Sequence, residues 1–228
     1  MKKNQSICDT ESCFLCKNCL NEWKPAIVAQ KRNFKVKKGE VIFKEGDPVT
    51  GIYFVYSGNV KVYKKWDNEK ELIIRFAKEG AIFGHRGLGK NSTYPISAAA
   101  LEPAVVCYMD MAFFEATLKV NTNFNYQLLM FFADELRESE RRMRNLAHMP
   151  VKGRVAEALI ALKNQFGITP DGFINIELSR QDLASYAGAT YETVFRMINE
   201  LVNDKLISLS GKKIHIVNEE ALLKLTQD

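Results

Sequence analysis

The chain has 228 residues, 46% of them hydrophobic and 26% charged, with a formal net charge of +5. That length suits two ordinary domains better than one large one, and the balance is normal for a globular chain. No apolar run reaches the roughly eighteen residues of a membrane span, and Met1-Lys2-Lys3-Asn4-Gln5 leads into no apolar stretch of the kind a secretory signal carries, so a cytoplasmic protein with no membrane partner is expected.

Four of the five cysteines, Cys8, Cys13, Cys16 and Cys19, fall within the first twenty residues, and the fifth is Cys107. A reducing compartment argues against a disulfide framework, so the cluster reads as metal or redox chemistry. The spacing Cys13-x2-Cys16-x2-Cys19 lets thiolates converge on one centre, and soft thiolates suit zinc or an iron–sulfur cluster. The plainer alternative is a loosely reactive tail.

From Phe34 to Met109 the pattern is β. Apolar runs of strand length recur at 41–43, 52–56, 60–63, 72–76 and 104–108, separated by Gly46-Asp47-Pro48, Ser57-Gly58-Asn59, Asp67-Asn68 and Glu79-Gly80. Short strands at this spacing predict an antiparallel sandwich or roll.

From about Asn123 to Ala147 the period becomes helical. Leu129, Phe132, Leu136, Met143 and Leu146 form a narrow a/d seam with Ser139 at its one polar position. Glu135, Glu138, Glu140, Arg141, Arg142 and Arg144 are assigned to the opposite, charged surface. So narrow a seam needs a partner: a second copy of the helix on the sharper reading, the chain's own β domain on the plainer one. His148-Met149-Pro150 then interrupts the helix, because proline breaks an old helix and fits the first turn of a new one.

After Pro150, Val155, Leu159 and Leu162 predict an amphipathic helix ended by Gly167. A turn at Thr169-Pro170-Asp171-Gly172 and a short strand at 173–176 follow. Ser179 and Asp182 fit a helix N-terminal cap. Ala184 is small where two helices cross, Gly188 supplies positive φ in the turn four residues later, and Thr190 caps the next helix. This spacing is a helix-turn-helix. Two apolar runs, 206–209 and 214–217, flank Ser210-Gly211-Lys212-Lys213 as a hairpin wing.

These residues resemble the CRP/FNR superfamily of bacterial transcription regulators. The resemblance rests on Lys38-Gly39-Glu40-x4-Glu45-Gly46-Asp47, Tyr56-Ser57-Gly58-x-Val60-Lys61-Val62, Gly80-x3-Gly84, Asn145-Leu146-Ala147, Gly153-Arg154-Val155-Ala156 and the helix-turn-helix through Gly211-Lys212. It implies an α+β chain: a Cys-containing segment (1–33), an antiparallel β-roll sensor of jelly-roll type (34–122), a dimerisation helix (123–149) and a winged helix-turn-helix (150–228). It further implies a homodimer that reads palindromic double-stranded DNA and works with RNA polymerase.

In such a fold the second helix, from about Tyr191 to Asp204, enters the major groove, and two-fold-related copies bind half-sites about 34 Å apart. Glu192 can accept from a cytosine N4, Arg196 can donate two bonds to a guanine, and at i, i+4 they can brace each other. The resemblance assigns this pair to a TGA/TCA element. Phe195 can touch a thymine methyl, and Tyr191 stands where cyclic-AMP-dependent members carry Arg. Arg180, Gln181 and Lys212 are expected on phosphates, which position the protein without specifying sequence.

The resemblance leaves three sensor readings. Gly84, His85 and Arg86, with Ser139, mark the candidate effector pocket. Nucleotide-binding members place a Glu and an Arg-Ser pair where this chain has His85 and Tyr94-Pro95, which speaks against a cyclic nucleotide. The oxygen-sensing branch uses three N-terminal Cys and one inside the roll. This implies Cys13, Cys16, Cys19 and Cys107 as iron–sulfur ligands, with Cys8 spare, although the last two N-terminal Cys are spaced more tightly than in that branch. The third reading is another effector, or none. His85 and His148 are formal haem candidates, but lone histidines usually make ordinary hydrogen bonds. Gly84-x4-Gly89-Lys90-Asn91 only mimics a phosphate-binding loop, lacking the Ser/Thr after Lys and a long helix beyond it. No enzyme motif appears, and an iron–sulfur or metal protein without a DNA role is the alternative from another class.

The charge does not point at the DNA-reading end. Residues 151–228 hold nine Lys/Arg against ten Asp/Glu, a net of −1, so the excess lies before Pro150. The nucleic-acid reading rests on the helix-turn-helix spacing and on Arg180, Arg196, Lys212 and Lys213.

Overall fold

The computed structural model describes residues 2–4, 11–67 and 70–227; Cys8 lies outside the described residues. The chain forms two compact units, Met1–Leu136 and Arg137–Asp228.

The first unit is built on two antiparallel sheets. One has the order β1 (Lys2–Asn4), β2 (Arg32–Val36), β9 (Ala104–Asp110), β4 (Gly51–Ser57), β7 (Ile82–Phe83). The other has the order β3 (Val41–Phe43), β8 (Ser97–Ala100), β5 (Val60–Lys65), β6 (Glu71–Ala77). All five apolar runs form strands. The other four carry no apolar run, for different reasons: β1 is Lys-Lys-Asn, β7 is two residues long, β2 mixes Arg32, Asn33 and Lys35 with Phe34 and Val36, and β8 is Ser-Ala-Ala-Ala. Alanine has little strand preference of its own, yet all four β8 residues are buried between β3 and β5, where small side chains fit under a neighbouring sheet.

Aromatic rings fill the roll. Phe43 stacks on Tyr94 with ring centroids 4.0 Å apart, and Tyr53 packs on Phe83 at 5.3 Å. The Tyr94 hydroxyl, buried with its ring, donates to the Gly51 carbonyl at 2.6 Å, so it carries no unpaired polar group into the core.

Over residues 11–33 the N-terminal segment is folded, contrary to the loose-tail alternative. It contains α1 (Phe14–Asn18) and α2 (Lys24–Gln30). The Phe14 amide donates to Gly80 O at 2.8 Å, and the Leu20 amide to Asn121 Oδ1 at 2.8 Å. Trp23 stacks on Phe113 and donates from Nε1 to Thr117 Oγ1 at 3.1 Å. Gly80 lies in the turn between β6 and β7, whereas Phe113, Thr117 and Asn121 lie on or just after α3 (Met111–Val120), a helix with no separate signature in the sequence; Asp110 caps it by accepting from the Phe113 amide.

One continuous helix of 27 residues follows, α4 (Thr122–His148). The second unit adds α5 (Val151–Phe166), α6 (Arg180–Ala187), α7 (Tyr191–Asn203), the hairpin β10 (Ile207–Ser210) and β11 (Lys213–Ile216), and α8 (Glu219–Lys224). Gly167, at φ +76°, ends α5 as expected. The strand expected at 173–176 does not form. The turn closed by Gly172 N to Thr169 O leaves room for one bridge, Ile168 to Ile174, and Ile174 N then donates to Ile214 O in the wing at 2.9 Å.

Candidate functional site

The helix-turn-helix assembles from local rules. Ser179 Oγ accepts from the Asp182 amide at 2.9 Å and donates to that residue's carboxylate. Gly188 ends α6 in the left-handed region, at φ +64°. Thr190 Oγ1 accepts from the Thr193 amide at 3.3 Å and starts α7. α7 then buries Val194, Met197, Ile198 and Leu201. Every buried residue lies three, four or seven positions from another, so the opposite face is presented outward. That face carries Tyr191, Glu192, Phe195, Arg196 and Asn199, all exposed. The Tyr191 and Phe195 rings stack 6.1 Å apart. Among the described residues no ion pair joins Glu192 to Arg196, so both heads are available to a ligand.

The flanking cations differ from one another. Arg180 is half-buried, and its Nη2 donates to Gly211 O in the wing turn at 3.3 Å, which ties the start of α6 to the wing. Gln181, Lys212 and Lys213 are exposed. Two residues outside the expected set hold the turn itself. Arg154 on α5 donates from Nη1 to Gly188 O at 3.0 Å. Arg142 on α4 donates from Nη2 to Tyr186 O at 2.8 Å, with its guanidinium 4.6 Å from the Tyr186 ring centroid. Both meet carbonyls at the C-terminal end of α6, where a cation is favoured. Arg154 was visible in the Gly153-Arg154-Val155-Ala156 motif, but nothing there gave it a role.

On α4 most of the seam stands in solvent: Leu129, Leu136 and Met143 are 65%, 61% and 66% exposed, with Leu146 and Ser139 also exposed, whereas Phe132 is half-buried against the apolar cluster of the first unit. On the opposite side Glu138, Glu140, Arg141 and Arg144 are exposed as expected, while Glu135 and Arg142 are half-buried. Asn145 and Arg141 both donate to Glu157 of α5, and Glu135 is half-buried against the roll.

Glu135 organises the candidate effector residues. Gly84, at φ +81°, opens the short 3-10 turn His85–Gly87. Arg86 donates to Glu135 Oε2 from Nη2 at 2.8 Å and from Nε at 3.2 Å, and Arg75 on β6 donates to Oε1 at 3.0 Å. Burial works against ionising Glu135, but contacts to His85, Arg75 and Arg86 outweigh it and hold the carboxyl well below the usual range. His85 is buried edge-on to Phe131 and Phe132, 5.0 and 5.2 Å away. Burial pushes its imidazole down to about 4, so at neutral pH the ring is uncharged. Its Nε2 stands 3.5 Å from Glu135 Oε2, and neither ring nitrogen has a hydrogen-bond partner. Tyr94, which stands where nucleotide-binding members carry a cation, packs in the aromatic core. His148, the other formal haem candidate, is exposed at the end of α4.

Cys13, Cys16, Cys19 and Cys107 are buried thiols within a single apolar cluster that also contains Leu15, Ile27, Phe54, Met109 and Phe124. Burial, with a smaller contribution from Cys13, pushes the Cys19 thiol up to about 12 against the pull of Lys24. The donor set fits a soft metal or cluster in chemistry and in spacing along the chain. Among the described residues no three His, Cys, Asp or Glu side chains are drawn together as closely as a bound metal requires.

The family model of the cyclic nucleotide-binding domain matches residues 33–121, and that of the Crp-like helix-turn-helix domain matches residues 153–225. The transcriptional activator protein Anr of Pseudomonas aeruginosa is 30% identical over 198 residues, covering 86% of this chain and 80% of its own length. The global nitrogen regulator of Synechococcus elongatus is 29% identical over 82% of this chain and 86% of its own. The solved structure of FixK2 from Bradyrhizobium japonicum superposes with a TM-score of 0.76 at 26% identity, covering 86% of this chain and 96% of that one.

Proposed function

Since the chain belongs to the CRP/FNR family of DNA-binding transcription regulators, we propose that it acts as a cytoplasmic homodimer on a palindromic operator containing a TGA/TCA element, where it engages RNA polymerase. The observation that carries this reading is the outward face of α7. Its first two turns offer an acceptor (Glu192), a bidentate donor (Arg196) and two apolar rings (Tyr191 and Phe195) side by side, with no ion pair between the charged heads. Those groups match the donor, acceptor and methyl pattern of a major groove. Arg180 braces the wing while Gln181 and Lys212 take phosphates. The exposed seam Leu129, Leu136, Met143 supplies the dimer contact. The chemistry is binding, not turnover. Selection of a preferred site from random duplexes tests the reading: a two-fold TGA/TCA site is expected, and a site without two-fold symmetry overturns it.

The sensor we propose is an iron–sulfur cluster held by Cys13, Cys16, Cys19 and Cys107. When bound, the cluster would supply redox chemistry. The chain's own part is to bury four soft donors in one apolar cluster, which supports the assignment. A cyclic nucleotide is disfavoured, because Arg86 is already engaged by Glu135. Anaerobically purified protein is expected to be coloured and to contain iron, with both lost in Cys107→Ser; colourless, iron-free protein overturns the cluster.

A further inference from the structure

Arg75 and Arg86 come from separate parts of the roll, β6 and the turn after β7, and converge on the two oxygens of one carboxylate. Arg75 takes Oε1 and Arg86 takes Oε2 twice. The site is built and enclosed. The side chains of Arg75, Glu135 and Arg86 are 17%, 15% and 27% exposed. Arg75 is fixed from outside the trio by donating to the Ile82 carbonyl and by lying 5.3 Å over the Phe131 ring. A neutral, fully buried His85 closes the remaining side, its ring nitrogens unpartnered and 3.5 Å from the carboxylate at the nearest. Two guanidinium forks in this arrangement are a recognition site for a carboxylate or phosphate.

We propose that Arg75 and Arg86 form an anion-binding site and that its resident ligand is the chain's own Glu135 carboxylate. Burying two cations side by side is costly unless an anion compensates them, and Glu135 does so from α4. A tethered carboxylate acts at millimolar or higher effective concentration, so free anions at ordinary levels do not displace it. The internal ligand therefore adds a charged anchor to the apolar packing by which Phe124 and Leu128 already hold the first half of α4 on the first unit. Removing that carboxylate leaves an empty site with affinity for small monocarboxylates.

The test is thermal unfolding of the full chain as Glu135→Ala, with and without sodium acetate at tens of millimolar, ionic strength held constant with chloride. Glu135→Ala is expected to lower Tm by about 5–15 °C. Acetate is expected to recover at least half of that fall, while leaving the wild type unmoved. In Glu135→Ala/Arg86→Gln the recovery should disappear. Glu135→Gln, which keeps the shape and loses the charge, provides the reading if the alanine variant does not fold: a Tm equal to wild type overturns the proposal. So does the absence of acetate recovery in Glu135→Ala, or an equal acetate effect on the wild type. Recovery by inorganic phosphate but not by acetate overturns the assignment to a carboxylate.

Discussion

Arg142 holds Tyr186 twice: its guanidinium stacks 4.6 Å from the ring centroid, and its Nη2 donates to the same residue's carbonyl at 2.8 Å. The stack fixes the ring and the hydrogen bond fixes the last turn of α6, so one side chain sets where the helix-turn-helix begins its turn. Arg154 completes the hold one step further on, at Gly188 O.

Arg142→Ala is therefore expected to destabilise the second unit by about 1–3 kcal/mol, the sum of a cation–π contact and a charged hydrogen bond. Arg142→Lys keeps the charge but not the planar fork and should recover less than half of that. Urea midpoints of the three proteins check this. Equal midpoints for wild type and alanine variant would show that the contact carries no weight.

The helix-turn-helix was readable because each of its parts is local. Ser179, Gly188 and Thr190 act on backbone atoms within four residues of themselves, so their spacing alone announces the structure. The strands with apolar runs were readable for the same reason. Glu135 was not: its partners lie 60 and 49 positions away in sequence, and helical periodicity alone puts a glutamate on the solvated side. Only the tertiary fold brings β6 and the turn after β7 to that face. α8 also went unread, since its cap at Asn218 and its six residues offer too short a period. The thiol cluster was half readable. The three N-terminal cysteines share a local motif, but the placing of Cys107 in the same cluster depends on β9 packing under the N-terminal segment.

Glu192→Ala and Arg196→Ala are each expected to weaken binding of the dimer to the preferred site by about 30-fold or more, because a contact of about 1–3 kcal/mol is lost in each of two half-sites. Each should also relax preference at one base pair per half-site while leaving non-specific binding unchanged. Lys212→Ala, a phosphate contact, should instead weaken all sequences alike and flatten the salt dependence. Titrations on the site and on single-base variants, at two salt concentrations, separate the two patterns.

Leu136→Glu places a charge at a seam position that is 61% exposed, so the fold should tolerate it. Across a two-helix seam the same charge meets its own copy in an apolar setting. We expect the variant to sediment as a monomer at concentrations where the wild type is a dimer, and to lose operator affinity at least tenfold as the two half-sites stop being bound together. A dimer of unchanged affinity would place the interface elsewhere.

His85 gives the stability a pH dependence whose sign follows from its burial. The imidazole sits near 4 in the folded chain against its ordinary 6.5, with Arg75, Arg86 and Glu135 as the charged groups facing it. Between those values the unfolded chain binds a proton that the folded chain does not, so stability is full above about 6.5 and falls as the pH drops toward 4. The loss amounts to about 3 kcal/mol over the window. Glu135, held below its ordinary range, adds a second loss that sets in as the pH falls through that ordinary range, where the unfolded chain's carboxyl takes a proton that the folded one still refuses. His85→Phe retains the edge contacts to Phe131 and Phe132 and removes the titrating group. Its urea midpoint should therefore change much less than that of the wild type between pH 7 and pH 4.5. Parallel profiles for the two proteins would mean that another group governs the acid limb.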